Sequence, residues 1–485
     1  MSPGAPGAAT PAAGEPAAVD LIVTGRVVTM DARRTVLPDG AVAIRDGDIA
    51  AVGERAGILA RHRPARVIDR PGAIVIPGLI DSHTHMLQAL VRGLVAGELP
   101  MIFRLYVPAV AALTPAEAHT AATLCAAQLL SSGVTTVCEG AGASSPEQLA
   151  AVLEAVDAAG IRCNVVRGAP DQDFHHAALY TQVRERSWRR VREGEAEREL
   201  AVTEEFLRRF PPKGRGRITA GVCASGLTSY SPRYFELAQA LAARHAAKVH
   251  VHAARDREEV EFCLAVAGRR PIEWLADLGL LGPDLVIAHA MLATEGEIRA
   301  IGETRSGVAH SAVEVVNILN AVPNVAMMRA LGATVGLGCD NAVNDMFIAM
   351  HSAWVLHAAT RGMAGYDPEI LDGEAIFAMA TIEGARLLGL DHVIGSLEPG
   401  KAADLVLLDG ESLFLHPSQD LLSELVRYGS RADVRLVLVA GKTVVEDGRV
   451  TTIDRARLAA DAERTAHRLR DIVEPRRYRP LGLRP

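Results

Sequence analysis

The chain has 485 residues, which is long for one ordinary domain and suits a barrel enzyme with an appended domain. Its formal net charge is −7, which argues against a polybasic protein that binds nucleic acid or a membrane surface. No apolar run approaches the roughly 18 residues that a membrane span needs. We therefore expect a small-molecule substrate as the partner, no nucleic acid and no membrane, and a homo-oligomer (a dimer or larger).

The first 18 residues are rich in Pro, Gly and Ala and have neither the basic start nor the hydrophobic core of a signal peptide. We expect them to form a disordered leader. The cysteines lie among apolar residues without CxxC spacing, which predicts buried free thiols in a reducing cytoplasm. They are Cys125, Cys138, Cys163, Cys223, Cys263 and Cys339.

Both ends of the chain have the alternating residue pattern of short β-strands. Residues 19–54 alternate apolar and polar residues around a tight Asp46-Gly47 turn, which is a hairpin signal. Residues 395–409 and 434–450 repeat this pattern. Neither set is large enough for its own core, so we predict one small composite β-sandwich domain built from both ends.

Between these ends, eight apolar β-rich runs alternate with helix-like segments such as 115–131, 146–159 and 295–301. This alternation predicts a parallel sheet covered on both faces, and eight units match a (β/α)8 TIM barrel in the α/β class. An open doubly wound sheet is the alternative, but no GxGxxG follows the first strand. The predicted strand runs are 73–85, 133–140, 161–168, 218–225, 248–254, 285–290, 306–311 and 334–341.

These patterns also predict the domain boundaries. The predicted parts are the leader 1–18, the β-sandwich domain 19–72 plus 394–456, the barrel 73–393, and a C-terminal helix and tail 457–485. Within the barrel, the charged stretch 185–210 predicts a solvated helix that is broken at Gly194.

Histidines gather at the predicted carboxyl ends of the barrel strands, where barrel enzymes place their working residues. His83 and His85 are two residues apart and so face the same way on one strand. Neutral histidine is a common metal ligand, and this set favours a metal site over a chance pairing. His250 and His310 are better explained as core residues. The predicted metal-site residues are His83, His85, His252, His289 and Asp340.

Several segments resemble the amidohydrolase superfamily, in its cytosine deaminase, triazine hydrolase and methylthioadenosine deaminase branch. They occur in the family's order across most of the chain. The resemblance implies a metal-capped barrel with a composite β-sandwich, and a hydrolase of carbon–nitrogen bonds other than peptide bonds. The segments are PGLIDSHTH, VHVHAARDREEV, VIAHAMLATEGEI, VGLGCDNAVNDMF, ATIEGARLLGL and IGSLEPGKAADLVLLD.

The resemblance also implies roles for individual residues. His83, His85, His252 and Asp340 would hold one divalent metal ion. His289 would contact the activated water and, with Asp340, take its proton. A divalent cation lowers the pKa of a coordinated water and so provides a nucleophile near neutral pH. The ligand set suits zinc, iron, cobalt or manganese.

The lysines bear on the number of metal ions. Two-metal members of the superfamily use a carbamylated lysine at the end of the fourth barrel strand. The four lysines of this chain, Lys213, Lys248, Lys401 and Lys442, are not predicted at that place. We therefore expect a mononuclear site.

Two positions depart from the deaminase pattern. The deaminases carry a glutamate three residues after the strand-5 histidine, where it transfers a proton to the leaving amine; here that position is Arg255. Ser225 stands where they carry a strand-4 histidine. Arginine cannot act as a general acid at neutral pH, but it can hold an anion or polarise a carbonyl. Alternatively, Arg255 points away and pairs with Glu258 or Glu259.

Three functions remain open from the sequence. The first is hydrolysis of a carbamate, thiocarbamate, urea or cyclic amide, in which Arg255 contacts the substrate. The second is deamination of an N-heterocycle with a relocated proton shuttle, and the third is a non-catalytic binding role. Candidates for a replacement acid are Glu314, Asp171, Asp173 and Asp345.

Loop residues near the predicted strand ends suggest a mostly apolar substrate pocket. The predicted substrate-contacting residues are Leu87, Phe103, Leu105, Tyr106, Phe174, Ser225 and Met346.

Overall fold

The computed structural model describes residues 16–95, 102–140, 145–175, 188–317, 321–341, 343–367 and 369–473. All six cysteines are buried and none forms a disulfide, as predicted. Among the described helices, none is both long and apolar enough to cross a bilayer.

The strands are numbered in chain order. They are β1 (Ala17–Val28), β2 (Val36–Arg45), β3 (Asp48–Glu54), β4 (His62–Ile68), β5 (Ile74–Pro77), β6 (Leu79–Thr84), β7 (Val134–Glu139), β8 (Arg162–Arg167), β9 (Gln172–His175), β10 (Trp188–Val191), β11 (Ile218–Gly226), β12 (Val249–Ala253), β13 (Leu285–His289), β14 (Gly307–His310), β15 (Val335–Leu337), β16 (Leu405–Leu408), β17 (Val434–Val439), β18 (Lys442–Glu446) and β19 (Arg449–Val450).

The helices are numbered in the same way. They are α1 (Arg55–Arg61), α2 (Arg92–Val95), α3 (Val107–Ala111), α4 (Pro115–Ser131), α5 (Pro146–Ala159), α6 (Glu195–Arg209), α7 (Pro232–His245), α8 (Arg257–Ala267), α9 (Pro271–Asp277), α10 (Glu295–Glu303), α11 (Ala312–Asn317), α12 (Val325–Ala330), α13 (Met346–His357), α14 (Met363–Gly365), α15 (Gly373–Met379), α16 (Ile382–Leu388), α17 (Leu421–Tyr428) and α18 (Arg455–Val473).

Eight parallel strands form the barrel in the order β6-β7-β8-β11-β12-β13-β14-β15. The circle is completed beyond the end of β15, where Thr84 and Asp340 form a parallel bridge. Helices such as α4 and α5 alternate with the strands. Thr114 caps α4 by accepting the N–H of Glu117 at 3.3 Å, and this capping box fixes where the helix begins. The predicted (β/α)8 barrel is confirmed.

The first predicted barrel strand is in fact two strands, which corrects the boundary placed at residue 73. Ile74–Pro77 pairs with β1 and β16 of the other sheet, and only Leu79–Thr84 belongs to the barrel. Pro77 has no N–H to continue a ladder. A Cβ at Gly78 would lie 2.0 Å from Oγ1 of Thr135, so only glycine permits this close crossing between the sheets.

The other sheet is mixed and combines β1–β5 with β16–β19. It branches at β1, which pairs with β2 on one side and with both β4 and β5 on the other. Apolar side chains from the two chain ends share one core cluster, which confirms the composite domain. Its members include Leu21, Val23, Val42, Leu405, Leu407 and Leu436.

Strand β1 begins earlier than the sequence analysis placed it. Ala17 pairs with His62 and Ala18 with Arg63, so these two residues belong to the sheet and not to a leader. Both alanines are exposed and belong to an Ala-rich stretch, so the apolar periodicity does not mark them as part of the strand. Residues 1–15, the rest of the predicted leader, lie outside the described residues.

The charged stretch 185–210 is only partly helical, which corrects that prediction. Trp188–Val191 pairs antiparallel with β9, and α6 begins after Gly194, whose φ is 69°. Asp173 on β9 pairs with Arg190 at 3.0 Å and with Arg192 at 2.6 Å. Cross-strand pairing thus overrides helix propensity before the glycine.

A buried ion pair ties the barrel to the mixed sheet. Nε and Nη2 of Arg162, at the start of β8, donate to the Asp404 carboxylate at 3.0 and 3.1 Å. The same carboxylate accepts the N–H of Ala440 at 2.7 Å. This bidentate contact holds the mixed sheet against the barrel, at the end of the barrel opposite to the predicted site.

Candidate metal centre

Two histidines stand at the carboxyl end of β6, where His85 directly follows the strand. The ring centroids of His83 and His85 are 4.9 Å apart. Their Nε2 atoms lie 3.8 and 4.0 Å from the two oxygens of the Asp340 carboxylate. A Cβ at Gly140 would lie 2.9 Å from Cε1 of His83, so glycine at the end of the next strand leaves room for the pair.

Strands β12 and β13 add His252 and His289. Nδ1 of His252 donates a 2.6 Å hydrogen bond to the Ser225 carbonyl, which leaves the lone pair on Nε2. That Nε2 lies 3.3 Å from Nε2 of His85. Nε2 of His289 lies 3.5 Å from Oδ2 of Asp340. The five side chains predicted for the metal site are therefore brought together.

The donor atoms of these side chains fit a divalent cation. The groups His83-His85-His252 and His83-His289-Asp340 each hold their ligand atoms within 4.8 Å of one another. Nε2 of His83 is buried without a hydrogen-bond partner in the described part of the chain, a need that a cation would meet.

The charge states also suit a cation. Burial lowers the pKa of all four imidazoles, to about 4 for His85, so each is neutral at pH 7 and has a lone pair to share. Burial raises the pKa of the Asp340 carboxyl, and a bound cation would oppose that shift.

Two residues of the cluster have a left-handed backbone that non-glycine residues rarely adopt. The φ angle is 84° at His289 and 53° at Asp340. The N–H of Asp340 donates to the His83 carbonyl at 2.9 Å, and Oγ1 of Thr84 donates to the Asp340 carbonyl at 2.6 Å. Strain that hydrogen bonds maintain in this way is typical of a functional site.

The cluster opens into a cavity of about 600 Å³ whose wall includes His85, His252, His289 and Asp340. A larger groove of about 1080 Å³ lies between α4, α5 and α18 and contains no residue of the cluster. The smaller cavity is the candidate active site, because among the described residues its wall includes the predicted metal-site side chains.

Arg255 lies on the wall of this cavity and is buried. Its Nε donates to Oδ2 of Asp256 at 2.5 Å, and its backbone N–H donates to Oε2 of Glu259 at 2.9 Å. The positive charge of Arg255 lowers the pKa of His85 further. Arg255 thus lies near the metal site and pairs with neighbouring carboxylates at the same time.

Comparisons with known proteins agree with this geometry. A family model described as "Amidohydrolase family" matches residues 74–444. The chain belongs to the amidohydrolase family. It is therefore a hydrolase of carbon–nitrogen bonds other than peptide bonds that acts on a small molecule, and its histidine cluster has the donor atoms to hold a divalent metal.

Three relatives of this amidohydrolase illustrate the likeness. A protein of Nitratidesulfovibrio vulgaris named 5-methylthioadenosine/S-adenosylhomocysteine deaminase is 33% identical over 452 residues, 91% of this chain and 95% of the relative. A protein of the same name from Pelotomaculum thermopropionicum is 32% identical and covers 93% and 98%. The crystal structure of an adenosine deaminase from Xanthomonas campestris with bound zinc superposes with a TM-score of 0.82 at 28% identity, over 94% of this chain and 100% of that one.

The candidate acids of the amidohydrolase divide into two groups. Glu314, on α11, is buried and lines the cavity, and Asp173 stands on its wall, where its ion pairs with Arg190 and Arg192 lower its pKa. Asp171 and Asp345 do not line the cavity.

Asp171 and Asp345 instead have structural roles, so the structure does not support either of them as the replacement acid. Asp171 accepts the N–H of Ser231 at 2.7 Å at the start of α7. Asp345 caps α13 by accepting the N–H of Phe347 at 3.1 Å, and it pairs with Arg431 at 2.8 Å.

The predicted substrate contacts are also corrected in part. Leu87, Leu105 and Met346 are buried in the main core and are not among the described lining residues. Tyr106 and Ser225 do line the cavity. The side chains of Phe103 and Phe174 lie outside the described part of the structure.

The cavity is more polar than the sequence suggested. The hydroxyl of Tyr106 donates to Oδ1 of Asn341 at 3.3 Å, and Nδ2 of Asn341 donates to Oε1 of Gln88 at 2.7 Å. These three residues form a polar wall beside the metal site. Sequence reasoning missed Gln88 and Asn341, although each lies within three residues of a predicted ligand.

Glu259 is another lining residue that the sequence analysis treated only as a partner for Arg255. It follows the helix-capping Asp256 by three residues, a pattern that usually indicates helix capping. Its nearness to the strand-5 ligand was the available signal for a place in the active site.

Proposed function

We propose that this amidohydrolase cleaves the C–N bond of a carbamate, thiocarbamate, urea or cyclic amide. The observation that carries the proposal is Arg255 on the cavity wall beside the metal-site histidines. A guanidinium stays protonated at neutral pH and cannot supply a proton, but it can polarise a carbonyl or hold a carboxylate. Substrates with a carbonyl at the reacting carbon suit such a group.

The proposed cofactor is one zinc ion per chain, held by His83, His85, His252 and Asp340. Bound there, it would provide an activated water as nucleophile at neutral pH. The zinc in the adenosine deaminase structure supports this choice. The positions of the lysines support a single ion. A two-metal site of this superfamily uses a carbamylated lysine, and none of the four lysines lines the described part of the cavity.

His289 and Asp340 are the proposed proton acceptors for the attacking water. Their side chains lie 3.5 Å apart, which brings two acceptors to one point of the cavity. The Asp256 carboxylate holds Nε of Arg255 at 2.5 Å, so the guanidinium is oriented before a substrate enters. A charge oriented in advance stabilises a transition state without reorganisation.

The polar wall of Tyr106, Asn341 and Gln88 would orient the part of the substrate that does not react. Its hydrogen bonds run from one side chain to the next, so all three are held in place. Ser225 faces the same cavity and holds His252 through its carbonyl. We propose no substrate contact for Leu87 or Met346.

The proposal is tested by reconstituting the protein with Zn²⁺, Fe²⁺, Co²⁺ or Mn²⁺ and assaying two substrate classes. Phenylureas and N-aryl carbamates are followed by amine release, and 5-methylthioadenosine and adenosine by ammonia release. We expect metal-dependent amine release. Ammonia release alone would replace this function by deamination.

Deamination of an N-heterocycle is the second candidate, supported by the two relatives named 5-methylthioadenosine/S-adenosylhomocysteine deaminase. It needs a proton donor other than residue 255. A protein that is inactive with both substrate classes after reconstitution would instead favour a binding role.

The assembly of the chain also stays a proposal. Leu413 and Phe414 are 85% and 80% exposed, and large apolar side chains of this kind are covered in interfaces between copies of a chain. We propose a homo-oligomer, which sedimentation velocity would detect.

A further inference from the structure

Hydrolysis of a C–N bond requires a proton at the departing nitrogen. As the bond breaks, its electron pair stays on the nitrogen, and an amide anion is too basic to leave from most substrates. Arg255 cannot give this proton, and the metal-site histidines are needed as ligands or acceptors. Two tyrosine hydroxyls also line the cavity, but that of Tyr106 donates to Asn341 and burial raises the pKa of Tyr230. A carboxylic acid is therefore the better-suited donor.

Four carboxyl groups are found among the described lining residues: Asp173, Glu259, Glu314 and Asp340. Asp340 belongs to the metal site. Asp173 is half-exposed, and its two arginine partners hold it in the ionised form. The two buried candidates are Glu259 and Glu314.

The position of Glu259 is fixed relative to the metal site. Its Oε2 accepts the N–H of Arg255 at 2.9 Å, and Arg255 follows the ligand His252 by three residues. The carboxyl therefore reaches back from the first turn of α8 to the end of β12. Its own N–H donates to Oδ1 of Asp256 at 2.8 Å, so the turn that carries Glu259 is held at both ends.

The surroundings of Glu259 favour its protonated form. Burial raises its pKa to about 7; the nearby Arg255 opposes this shift, while the negative charges of Asp256 and Glu297 add to it. Arg270 offsets Glu297 through a 2.9 Å ion pair. The other titratable groups close to this network are Glu258, Cys263 and Arg189.

The geometry points to Glu259 as the catalytic acid that protonates the departing nitrogen, a role that rests on the proposed function. The oxygen of the attacking water bonds to the substrate carbon while the carbonyl π pair moves onto the carbonyl oxygen, and one proton of the water passes to Asp340 or His289. The carbonyl re-forms as the C–N bond breaks, and the Glu259 carboxyl gives its proton to the nitrogen. Asp340 or His289 then releases its proton to solvent and the Glu259 carboxylate recovers one, so that a single water adds across the bond overall.

The test compares Glu259→Gln with Glu258→Gln in the zinc-loaded enzyme. Glutamine keeps an oxygen that can accept the Arg255 N–H, so the change removes the proton and preserves the turn. Glu258 lies beside it in the first turn of α8 but does not line the cavity. The substrates are ethyl N-arylcarbamates, from the 4-methoxyphenyl to the 4-nitrophenyl compound, together with adenosine.

We expect Glu259→Gln to lower kcat on the order of 10²- to 10⁴-fold for the 4-methoxyphenyl compound, the usual contribution of a general acid. The loss should be much smaller for the 4-nitrophenyl compound, because 4-nitroaniline leaves with less protonation. Glu258→Gln should match the parent with both compounds, and zinc content should be equal in all three proteins.

An equal loss with every leaving group would overturn the role of Glu259, since a structural defect does not discriminate between them. Unchanged kinetics in Glu259→Gln would overturn it too, and leaving-group dependence in Glu314→Gln would assign the role to Glu314. In each of these cases the parent is active and the proposed function stands. A zinc-loaded parent inactive with the carbamates and adenosine would overturn the function, and the role of Glu259 with it.

Discussion

The N–H of Asp340 donates a 2.9 Å hydrogen bond to the carbonyl of His83, and this contact joins the last barrel strand to the first. It also brings the Asp340 carboxylate to within 3.8 Å of Nε2 of His83. The same backbone bond therefore completes the barrel and assembles the metal site. Barrel closure and the arrangement of the site thus depend on the same contact.

Arg255→Ala tests the proposed contact with the substrate carbonyl. We expect kcat/KM to fall on the order of 10²- to 10³-fold, the usual cost of losing a transition-state contact, while metal content is unchanged. Steady-state kinetics and metal analysis of the same preparation check this. Arg257→Ala, which alters an exposed arginine two residues away, is the control. Unchanged kinetics for Arg255→Ala would make Arg255 a structural residue.

Arg255→Glu tests the second candidate function. A carboxyl at this position places an acid three residues after the ligand His252, as in the deaminases that the sequence resembles. We expect weak ammonia release from adenosine if the cavity admits the ring. Loss of carbamate hydrolysis without any gain in ammonia release would argue against a latent deaminase site.

Asn341→Ala tests the polar wall. The change removes the acceptor for the Tyr106 hydroxyl and the donor to Gln88, so both neighbours lose a hydrogen bond. We expect KM to rise roughly tenfold, about 1.4 kcal/mol, with a smaller effect on kcat. A change in kcat alone would instead place Asn341 among the groups that act on the transition state.

The buried ion pair between Arg162 and Asp404 should contribute strongly to stability. Arg162→Met leaves the Asp404 carboxylate without its cation, and breaking a buried pair in this way costs about 3–5 kcal/mol. Urea unfolding measures the loss. Arg217→Met removes the half-buried partner of the exposed Asp157, a surface pair worth about 0–1 kcal/mol, and serves as control. Equal losses in the two variants would refute the role of the buried pair.

The raised pKa of Glu259 predicts a pH dependence of stability. The folded state binds this proton more tightly than the unfolded chain, whose carboxyl has an ordinary pKa of 4.5. The favourable contribution is complete below that value and is lost as pH rises through about 7. The Tm of Glu259→Gln relative to the parent should therefore rise between pH 5 and pH 8. A constant difference would show that the carboxyl is ionised throughout.

The sequence predicted the barrel and the metal-site residues because both depend on periodicity. Apolar runs mark buried parallel strands, and the candidate ligands His252 and Asp340 lie near the carboxyl ends of such runs. The sequence could not separate β5 from β6, because strands of two different sheets are equally apolar there. Only their hydrogen-bond partners distinguish them.

The cavity was harder to predict because its residues come from positions without a strong pattern. Leu87 and Met346 follow ligand-bearing strands but turn into the core. Asn341 directly follows a ligand and faces the cavity. Glu259 has the sequence position of a helix-capping residue, and only the fold shows that its carboxyl reaches back toward the strand-5 ligand.

The mononuclear metal site is tested most directly by metal analysis of the parent and His85→Ala after incubation with Zn²⁺ and removal of loosely bound ions. We predict one equivalent per chain in the parent. His85→Ala should lose the metal and the activity together, because one of four ligands is gone. His392→Ala, an exposed histidine remote from the cavity, should retain both. A full equivalent in His85→Ala, or a second tightly held equivalent in the parent, would contradict the mononuclear site.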